Sequence, residues 1–362
     1  MRLAVTEEQR ELRATLRRFF AEVSPSREVR RLMATPEGYD PAVWRRMAEQ
    51  LGLPGLAVPE EHGGAGCGMR ELAIVLEEMG RALVCAPFFA SAVLAVHALL
   101  ASGDEKARRD LLPGLADGTV IGTLVHTGDG DGTSVTAEGD RLTGTAAFVL
   151  DGHVADLILM AARTPEGVSL FAVDGDAPGL TRTLLPTLDQ TRRLARLECS
   201  GVPARPVGPP GAGAEILART RDVALVALAA EQLGGAQRVL EMSVEHAKAR
   251  RQFGRPIGGF QAVKHKCADM LVEVESARSA VLHAATVADE EPAELPTAAA
   301  LAQAYTSEAF FRAAGENIQI HGGIGFTWEH DAHLYFKRAK ASQLLFGSPA
   351  AHRERVARLI GL

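Results

Sequence analysis

The sequence lacks the features that mark several classes of protein. Its four cysteines include no Cys-x-x-Cys pair of the kind that binds a metal, so we expect reduced, packed thiols and no metal site. A net charge of -6 lacks the basic excess of a nucleic-acid-binding protein. The N-terminus lacks the apolar core of a signal peptide, and the most apolar run, residues 87–102, is too short to span a bilayer. These absences predict a soluble cytoplasmic protein with neither a nucleic-acid nor a membrane partner.

The sequence divides into three segments that differ in their hydrophobic pattern and turn residues. The length of 362 residues suits two or three packed units. Residues 1–117 carry helical patterns, the first of which begins at the hydroxyl cap Thr6. Residues 118–210 carry short apolar runs between Gly- and Asp-rich turns, which predict β-strands, and residues 211–362 carry long helical patterns. We therefore expect an N-terminal α-helical domain, a middle β domain and a C-terminal helical bundle.

Two long helical patterns flank the most informative stretch of the chain. The first covers residues 215–248 without a proline, and the second covers residues 262–289. Gly254, as a left-handed cap, and Pro256, which cannot continue the helical hydrogen bonds, are predicted to end the first helix. The residues between the two helices are predicted to form a rigid turn.

A cluster of cations lies in this turn. Arg250, Arg251 and Arg255 stand beside Phe253. Arginine offers a planar fork of donors to phosphate oxygens, and an aromatic ring offers a face for stacking, so the cluster suits a diphosphate joined to a flat ring system. From the residues alone, a solvated basic helix end that complements the helix dipole is the favoured interpretation.

Three motifs that follow one another along the chain favour the diphosphate site over a solvated helix end. Residues 250–261 read Arg-Arg-Gln-Phe-Gly-Arg-Pro-Ile-Gly-Gly-Phe-Gln and closely resemble a signature of the acyl-CoA dehydrogenase flavoproteins. Residues 319–325, Gln-Ile-His-Gly-Gly-Ile-Gly, and residues 59–66, Pro-Glu-Glu-His-Gly-Gly-Ala-Gly, resemble two further signatures of the same family. Because the three motifs together span nearly the whole chain, chance is a poor explanation.

The resemblance implies an α+β fold of the acyl-CoA dehydrogenase type, with an N-terminal α-helical domain, a middle antiparallel β domain and a C-terminal four-helix bundle. It also implies that FAD is the cofactor and is shared across a subunit interface of a tetramer. The bundle of one subunit then reaches the adenosine diphosphate end of a neighbour's FAD, and glycines let the backbone approach it closely. The residues of this chain at the implied cofactor-binding positions are Arg250, Gln252, Phe253, Gln261, Gln319, Gly322 and Gly323.

The reaction implied by the resemblance is α,β-dehydrogenation of an acyl-CoA thioester, in which a carboxylate takes the α proton and the flavin accepts hydride. The family's base lies in a Tyr-Glu-Gly-Thr motif, but residues 345–348 read Leu-Phe-Gly-Ser, so Phe346 replaces the base. Other members carry the base on the long helix, where this chain has Ala224 followed by Leu225. Glu231 lies two turns further along, about 10 Å away, and is not favoured as a substitute. No catalytic residue is therefore assigned.

The β domain departs from the family pattern as well. Where the family has Trp-Ile-Thr-Asn against the flavin ring, residues 148–151 read Phe-Val-Leu-Asp, which keeps an aromatic cover and loses the hydroxyl. Residues 126–133 match the family's flavin-contacting segment poorly, and the Asp-Gly-Asp-Gly run 129–132 is predicted to form a hairpin turn rather than a calcium loop. The half of the FAD site that a subunit uses for its own flavin is thus eroded, while the half lent to a neighbour is intact.

This asymmetry resembles the short, base-lacking subunits of paired bacterial acyl-CoA dehydrogenases, which form α2β2 tetramers with a full-length catalytic partner. The first hypothesis is therefore a subunit of a flavin-dependent acyl-CoA dehydrogenase of fatty acid or steroid metabolism, acting on an acyl-CoA or acyl-carrier thioester. Electron-transfer flavoprotein is the implied electron acceptor. The second hypothesis is a self-sufficient homotetramer with an unrecognised base. The third is a non-redox relative that binds acyl thioesters or catalyses a dehydration without a functional flavin.

Three histidines are candidates for acid-base roles. His321 occupies the variable position of the second signature, so we expect it to touch the outer end of the cofactor or solvent. His265 and His330 are interpreted as residues of helix surfaces rather than as catalytic groups.

Overall fold

The computed structural model describes residues 6–125 and 134–362. The chain divides into two compact units, each built from separate segments. The first unit contains the segment that ends at Val29, together with Met69–Val84 and Leu225–Leu362, and it is mostly helical. The second unit contains Arg30–Gly68 and Cys85–Ala224 and holds the large β-sheet. The three-domain boundaries given by the sequence stay a prediction.

Eleven α-helices and ten strands occur in the described residues. The helices are α1 (Glu7–Val23), α2 (Ser26–Met33), α3 (Pro41–Leu51), α4 (Met69–Arg81), α5 (Val96–Ala101), α6 (Glu105–Ala116), α7 (Gly213–Ala249), α8 (Gln261–Glu290), α9 (Leu295–His321), α10 (Ala332–Leu344) and α11 (Pro349–Leu359). The strands are β1 (Gly122–Val125), β2 (Thr136–Glu138), β3 (Arg141–Leu150), β4 (Leu157–Thr164), β5 (Gly167–Asp174), β6 (Leu180–Leu184), β7 (Leu194–Pro203), β8 (Arg205–Val207), β9 (Arg251–Gln252) and β10 (Arg255–Pro256).

The first helix begins where the sequence predicts. The Thr6 hydroxyl accepts a hydrogen bond from the Gln9 backbone N–H, and the Gln9 side chain accepts one from the Thr6 N–H. This reciprocal pair satisfies two donors that lack partners inside the first turn. Leu16 and Phe20 then bury the apolar side of α1 in the core of the first unit.

The C-terminal helices confirm the predicted bundle. α7 and α8 extend one or two residues beyond the predicted spans 215–248 and 262–289. α8 buries a stripe of apolar side chains at three- and four-residue steps, from Met270 to Ala284. Together α7 to α11 supply five helices to the C-terminal part of the chain.

α4 and α7 cross at a contact between their backbones. A Cβ atom added at Gly80 on α4 would overlap the carbonyl oxygen of Glu231, and one added at Gly234 on α7 would overlap that of Glu77. No side chain larger than hydrogen fits at either crossing position. Two glycines therefore fix how closely these helices of the first unit pack.

The second unit is organised around an eight-stranded sheet in the order β6-β7-β3-β2-β4-β5-β8, with β1 also paired to β4. Most neighbours are antiparallel, as predicted, including β3 with β7 and β4 with β5. β1 and β2 instead pair in parallel with β4, which makes the centre of the sheet mixed. Its core is a cluster of buried apolar side chains that includes Ile158, Met160, Leu197 and Val202.

The apolar run in the first third of the chain is helical but not one regular α-helix. Phe89–Ala95 forms a π-helix in which every residue is buried, and α5 continues from it. A π-helix has an extra residue per hydrogen-bonded turn, which an apolar run does not reveal. Within residues 6–125 and 134–362, no helix is both long and apolar enough to cross a membrane.

The four cysteines, all within the described residues, form no disulfide. Cys85 and Cys199 are buried, as predicted, and Cys67 and Cys267 are partly exposed. Burial raises the pKa of the Cys199 thiol to about 11. That thiol therefore stays protonated and unreactive at neutral pH.

Candidate functional site

The first signature folds as a β-hairpin. α7 ends at Ala249, and β9 pairs antiparallel with β10 across a turn at Phe253 and Gly254. Both turn residues have positive φ, 51° and 78°, the combination of a type I′ hairpin turn. The prediction that Gly254 caps the long helix and that Pro256 stops it is therefore wrong. The helix ends before the hairpin begins, and Gly254 serves the reversal of the hairpin.

Phe253 is the unusual member of this turn. A bulky residue with positive φ costs about 1–3 kcal/mol, and glycine or asparagine is the usual choice at such a position. The Phe253 side chain is 92% exposed and meets Phe260 edge-on, with ring centroids 6.1 Å apart. The guanidinium carbon of Arg255 lies 4.0 Å from the centre of the Phe260 ring. The hairpin thus exposes an aromatic ring and cations to solvent. Because the Phe253 ring is not buried, packing does not offset the conformational cost of its positive φ.

The two C-terminal signatures meet through stacked histidines. The ring centroids of His246 on α7 and His321 on α9 lie 4.2 Å apart, and those of His321 and His330 lie 4.3 Å apart. Arg250 lies one turn after His246 and donates its backbone N–H to the His246 carbonyl at 2.8 Å. Gly322 directly follows His321. The stack therefore brings the start of the first signature and the glycine pair of the second to one place on the first unit.

The structure corrects the expectation for His330 and removes one of the two alternatives for His321, whose contact with the outer end of the cofactor stays a prediction. His321 is buried, and its Nδ1 lies 2.8 Å from the carbonyl oxygen of Asn317, to which it donates a hydrogen bond. Its side chain therefore does not point into solvent. His330 lies outside the helices and stacks on His321, so its interpretation as a helix-surface residue is wrong. The same interpretation is confirmed for His265, which is exposed on α8.

The charge at this place favours an anion. Burial, followed by the electrostatic effects of His321, His330 and Arg250, lowers the pKa of His246. The His246 ring is therefore neutral at neutral pH, so the positive charge here comes from a guanidinium, that of Arg250. A guanidinium on an exposed helix end, beside backbone groups, suits the oxygens of a diphosphate.

Gly322 and Gly323 stand beside open space. A Cβ atom added at either glycine would meet no atom of the chain within 4 Å. Gly322 has φ 65° and ψ -141°, which side chains avoid, but Gly323 has no positive φ. The fold of the chain therefore does not require glycine at position 323, and the open space leaves room for a group that approaches the backbone from outside. An adenosine diphosphate moiety is such a group, so these residues fit FAD.

All seven of the expected cofactor-binding residues lie exposed on the first unit. They are Arg250, Gln252, Phe253, Gln261, Gln319, Gly322 and Gly323. Two belong to the hairpin, Gln261 is the first residue of α8, and Gln319 lies in the last turn of α9. We call this set the FAD clasp. Its side chains are available to a second molecule rather than packed in the core.

The positions expected for a catalytic base hold no carboxylate. Phe346 lies in the turn between α10 and α11 with φ 62°. Ala224 and Leu225 are completely buried in α7. An apolar side chain cannot accept the α proton of a thioester at either position.

Glu231, the candidate for a substitute base, is held by a buried cation. Its Oε1 lies 2.6 Å from Nη1 of Arg338, and the two side chains are only 8% and 5% exposed. Proton abstraction by this carboxylate would leave the Arg338 guanidinium buried without its counter-charge, which is energetically costly. The contact therefore assigns Glu231 a structural role in the first unit.

Residues 148–151 of the second unit, which the resemblance places against the flavin ring, keep only an aromatic surface. Phe148, within β3, is 70% exposed and has φ 60°, and Asp151 directly after the strand has φ 49°. The ring is thus presented outward, as an aromatic cover requires. The poorly matching segment 126–133, with the hairpin turn predicted at residues 129–132, lies outside the described residues.

The structure also brings together residues that the sequence does not connect. In the second unit, Glu61, His62 and Glu105 place their ligand atoms within 4.8 Å of one another. Glu105 is the first residue of α6 and lies far along the chain from the other two. Because the motif spacings that indicate metal sites are local, they could not have revealed this group.

A β domain between two helical segments, with the FAD clasp on the surface, defines a flavoprotein of the acyl-CoA dehydrogenase type. The family description "Acyl-CoA dehydrogenase, N-terminal domain" matches residues 6–119, and "Acyl-CoA dehydrogenase, C-terminal domain" matches residues 211–361. The chain belongs to the acyl-CoA dehydrogenase family, whose members are FAD-dependent oxidoreductases and are typically tetramers. The expected family, fold, enzyme class and cofactor are confirmed.

Particular relatives are similar over nearly their whole length. Acyl-CoA dehydrogenase IpdE2 of Mycobacterium tuberculosis is 42% identical over 344 residues, which are 95% of this chain and 94% of the relative. Among solved structures, the ChsE4-ChsE5 complex from Mycobacterium tuberculosis has a TM-score of 0.91 and 30% identity, covering 100% of both chains. The Tcur3481-Tcur3483 steroid acyl-CoA dehydrogenase variant has a TM-score of 0.88 and 35% identity, covering 99% of this chain and 98% of that one.

Proposed function

We propose that this chain is the base-lacking subunit of a heteromeric acyl-CoA dehydrogenase and helps to hold the FAD of a catalytic partner. The observation that carries the proposal is the asymmetry between the two halves of the site. The FAD clasp is complete and exposed, while Phe346 replaces the base and Glu231 is paired with Arg338. The similarity to the ChsE4-ChsE5 complex, with a TM-score of 0.91, supports an assembly of two kinds of subunit.

The contribution of this chain to the reaction is binding rather than proton transfer. FAD, when bound, would supply the acceptor for the hydride that leaves the β carbon of the thioester. The Arg250 guanidinium would donate hydrogen bonds to diphosphate oxygens, and the Phe253 ring would stack against a flat ring of the cofactor. The backbone at Gly322 and Gly323 would approach the diphosphate closely. A carboxylate of the partner would take the α proton, because Phe346 cannot.

The proposal extends to the substrate and the electron acceptor. The Tcur3481-Tcur3483 structure, 35% identical, is named as a steroid acyl-CoA dehydrogenase. We therefore favour the CoA thioester of a steroid-derived acyl chain over a straight fatty acyl group. Electrons would leave the flavin to electron-transfer flavoprotein, and the assembly would work in the cytoplasm.

Coexpression with a full-length acyl-CoA dehydrogenase subunit encoded nearby tests the proposal. The tagged chain should carry the partner and FAD through purification, whereas the chain alone should hold little FAD. In the complex, Arg250→Gln should weaken FAD binding by about 10- to 100-fold, because it removes a charge-assisted hydrogen bond. Arg353→Gln, which changes an exposed arginine of α11 outside the FAD clasp, should change the affinity by less than about twofold.

Other outcomes would contradict the proposal. Failure to form a flavin-bearing complex would remove it, and so would equal loss of FAD in the two arginine variants. If the chain alone binds FAD, and if a thioester bleaches that flavin, it is a self-sufficient enzyme. Turnover without an electron acceptor would identify a non-redox relative.

A further inference from the structure

A histidine and two glutamates converge on one point in the second unit. His62 Nε2 lies 3.5 Å from Glu105 Oε1 and 3.9 Å from Glu61 Oε1, and all three ligand atoms lie within 4.8 Å of one another. Nitrogen and oxygen ligands about 2.0–2.1 Å from a tetrahedral zinc ion are separated by about 3.3 Å. The two separations that involve His62 are slightly longer than that value. Both glutamate side chains are largely exposed, so small rotations of them would close the remaining gap.

The histidine is fixed in position by its loop. His62 ends a single turn of 3₁₀-helix, and its backbone N–H donates to the Pro59 carbonyl at 3.0 Å. A Cβ atom added at Gly64 would overlap the Val58 carbonyl oxygen, so the loop is folded tightly on itself. The His62 residue is only 6% exposed, and its Nε2 faces the two carboxylates. A ligand that is ordered before binding loses little conformational entropy when it binds.

The charge of the group calls for a cation. Two carboxylates that converge on one imidazole repel each other unless a positive charge joins them. Arg108 reaches only the other oxygen of Glu105, Oε2, at 3.5 Å, which leaves Oε1 towards His62. Glu105 is also the first residue of α6, where the positive end of the helix dipole holds a carboxylate in place. A metal ion between the three side chains would supply that positive charge.

We propose that Glu61, His62 and Glu105 form a binding site for one divalent transition-metal ion of the zinc type, completed by water. One imidazole and two carboxylates suit zinc, cobalt or nickel rather than copper(I), which prefers thiolate and thioether ligands. The ion would join the loop of residues 59–66 to the start of α6 and so stabilise the second unit. The proposal does not depend on the proposed function.

Titration of the full-length protein, stripped of metal by EDTA, tests this site. Calorimetry with ZnCl₂ should show one equivalent bound per chain, and CoCl₂ should give visible absorption bands of a four- or five-coordinate ion. Glu105→Gln and Glu61→Gln should each weaken zinc binding by about tenfold or more, because each removes an anionic ligand. Glu60→Gln is the matched control, since Glu60 lies in the same 3₁₀ turn but outside the group.

Thermal unfolding supplies a second readout. Zinc should raise the melting temperature of the wild type and of Glu60→Gln, and at the same zinc concentration it should raise that of Glu105→Gln less. Absence of zinc binding, or equal affinity in Glu105→Gln and the wild type, overturns the proposal. A melting temperature of the wild type that does not respond to zinc overturns it as well.

Discussion

Phe148, Phe253 and Phe346 adopt backbone conformations that phenylalanine ordinarily avoids. Their φ angles are 60°, 51° and 62°. Strain of this kind costs about 1–3 kcal/mol for each residue and persists where the surrounding structure imposes it, often at functional sites. The rings of Phe148 and Phe253 are exposed rather than packed, so their strain does not serve the core of either unit. It favours a role in contacting another molecule.

Relief of the backbone strain at Phe253 should change the stability of the chain and its binding of FAD in opposite directions. Phe253→Asn should raise the free energy of unfolding by about 1 kcal/mol, because asparagine tolerates the left-handed conformation, and should weaken retention of FAD in the complex. Urea unfolding and FAD dissociation measure the two effects. Phe326→Asn is a control, since Phe326 is also largely exposed but has no positive φ. A destabilised Phe253→Asn chain with unchanged FAD affinity would contradict the assignment.

The ion pair between Glu231 and Arg338 should be essential for stability. Glu231→Gln leaves the buried guanidinium without its counter-charge and should lower the free energy of unfolding by about 3–5 kcal/mol. The double variant Glu231→Leu with Arg338→Met should recover much of that loss, because neither charge is then buried. Denaturant unfolding of the three proteins measures this. A stable Glu231→Gln chain that has lost only flavin reduction would show instead that Glu231 is a base.

His97 should make the protein sensitive to acid. Burial lowers the pKa of His97 to about 4, from an ordinary value of 6.5, and its Nε2 has no hydrogen-bond partner among the described residues. The unfolded chain therefore binds a proton below pH 6.5 that the folded chain refuses until about pH 4. The stabilising contribution is complete above the unfolded value and is lost as the pH falls, by about 2 kcal/mol between pH 7.5 and pH 5.

Substitution of this histidine isolates its effect. His97→Leu should lose about 2 kcal/mol less than the wild type between the same two pH values, because leucine takes up no proton. His265→Leu, which changes an exposed histidine, should follow the wild type. Urea unfolding at both pH values measures the difference. Parallel losses in all three proteins would contradict the prediction.

At the scale of elements, periodicity predicts the long helices to within a few residues, because each has a buried stripe. It does not predict the geometry of shorter pieces. The apolar run that contains Phe89–Ala95 gives no signal for a π-helix, since every residue in it is buried. Gly254 and Pro256 are ambiguous because a helix cap and a hairpin turn both use glycine with positive φ. Strand partners are also hidden, so the parallel pairing of β1 with β4 emerges only in three dimensions.

The crossing of α4 and α7 should tolerate no added methyl group. Gly234→Ala places a Cβ atom on the Glu77 carbonyl and should lower the free energy of unfolding by about 3 kcal/mol or more, because two packed backbones must separate. Gly315→Ala is the matched control within α9, where the added Cβ atom would lie 3.8 Å from the Phe336 ring. It should stabilise the chain by about 0.5–1 kcal/mol. Equal stability of the two variants, measured in urea, would contradict the close crossing.

At the scale of the whole molecule, the sequence names the residues of the proposed FAD clasp but does not show how they are brought together. The family motifs supply Arg250 and Gly322, and the stacking of His246 on His321 that joins them has no sequence signal. Ring stacking depends on where two distant helices end. The open space at Gly323 likewise appears only when the surrounding backbone is in place.

The two unequal halves of the site should fix the flavin content of an α2β2 tetramer. The catalytic partner's flavin would lie between the partner's own intact half-site and the FAD clasp, whereas a flavin on this chain would face residues 148–151, which lack the family's hydroxyl. We therefore expect two FAD per tetramer rather than four. Absorbance at the flavin band together with mass measurement by light scattering gives the ratio. Four FAD per tetramer would mean that residues 148–151 and the residues around them still form a working flavin site. The proposed roles of the two subunits would then be wrong.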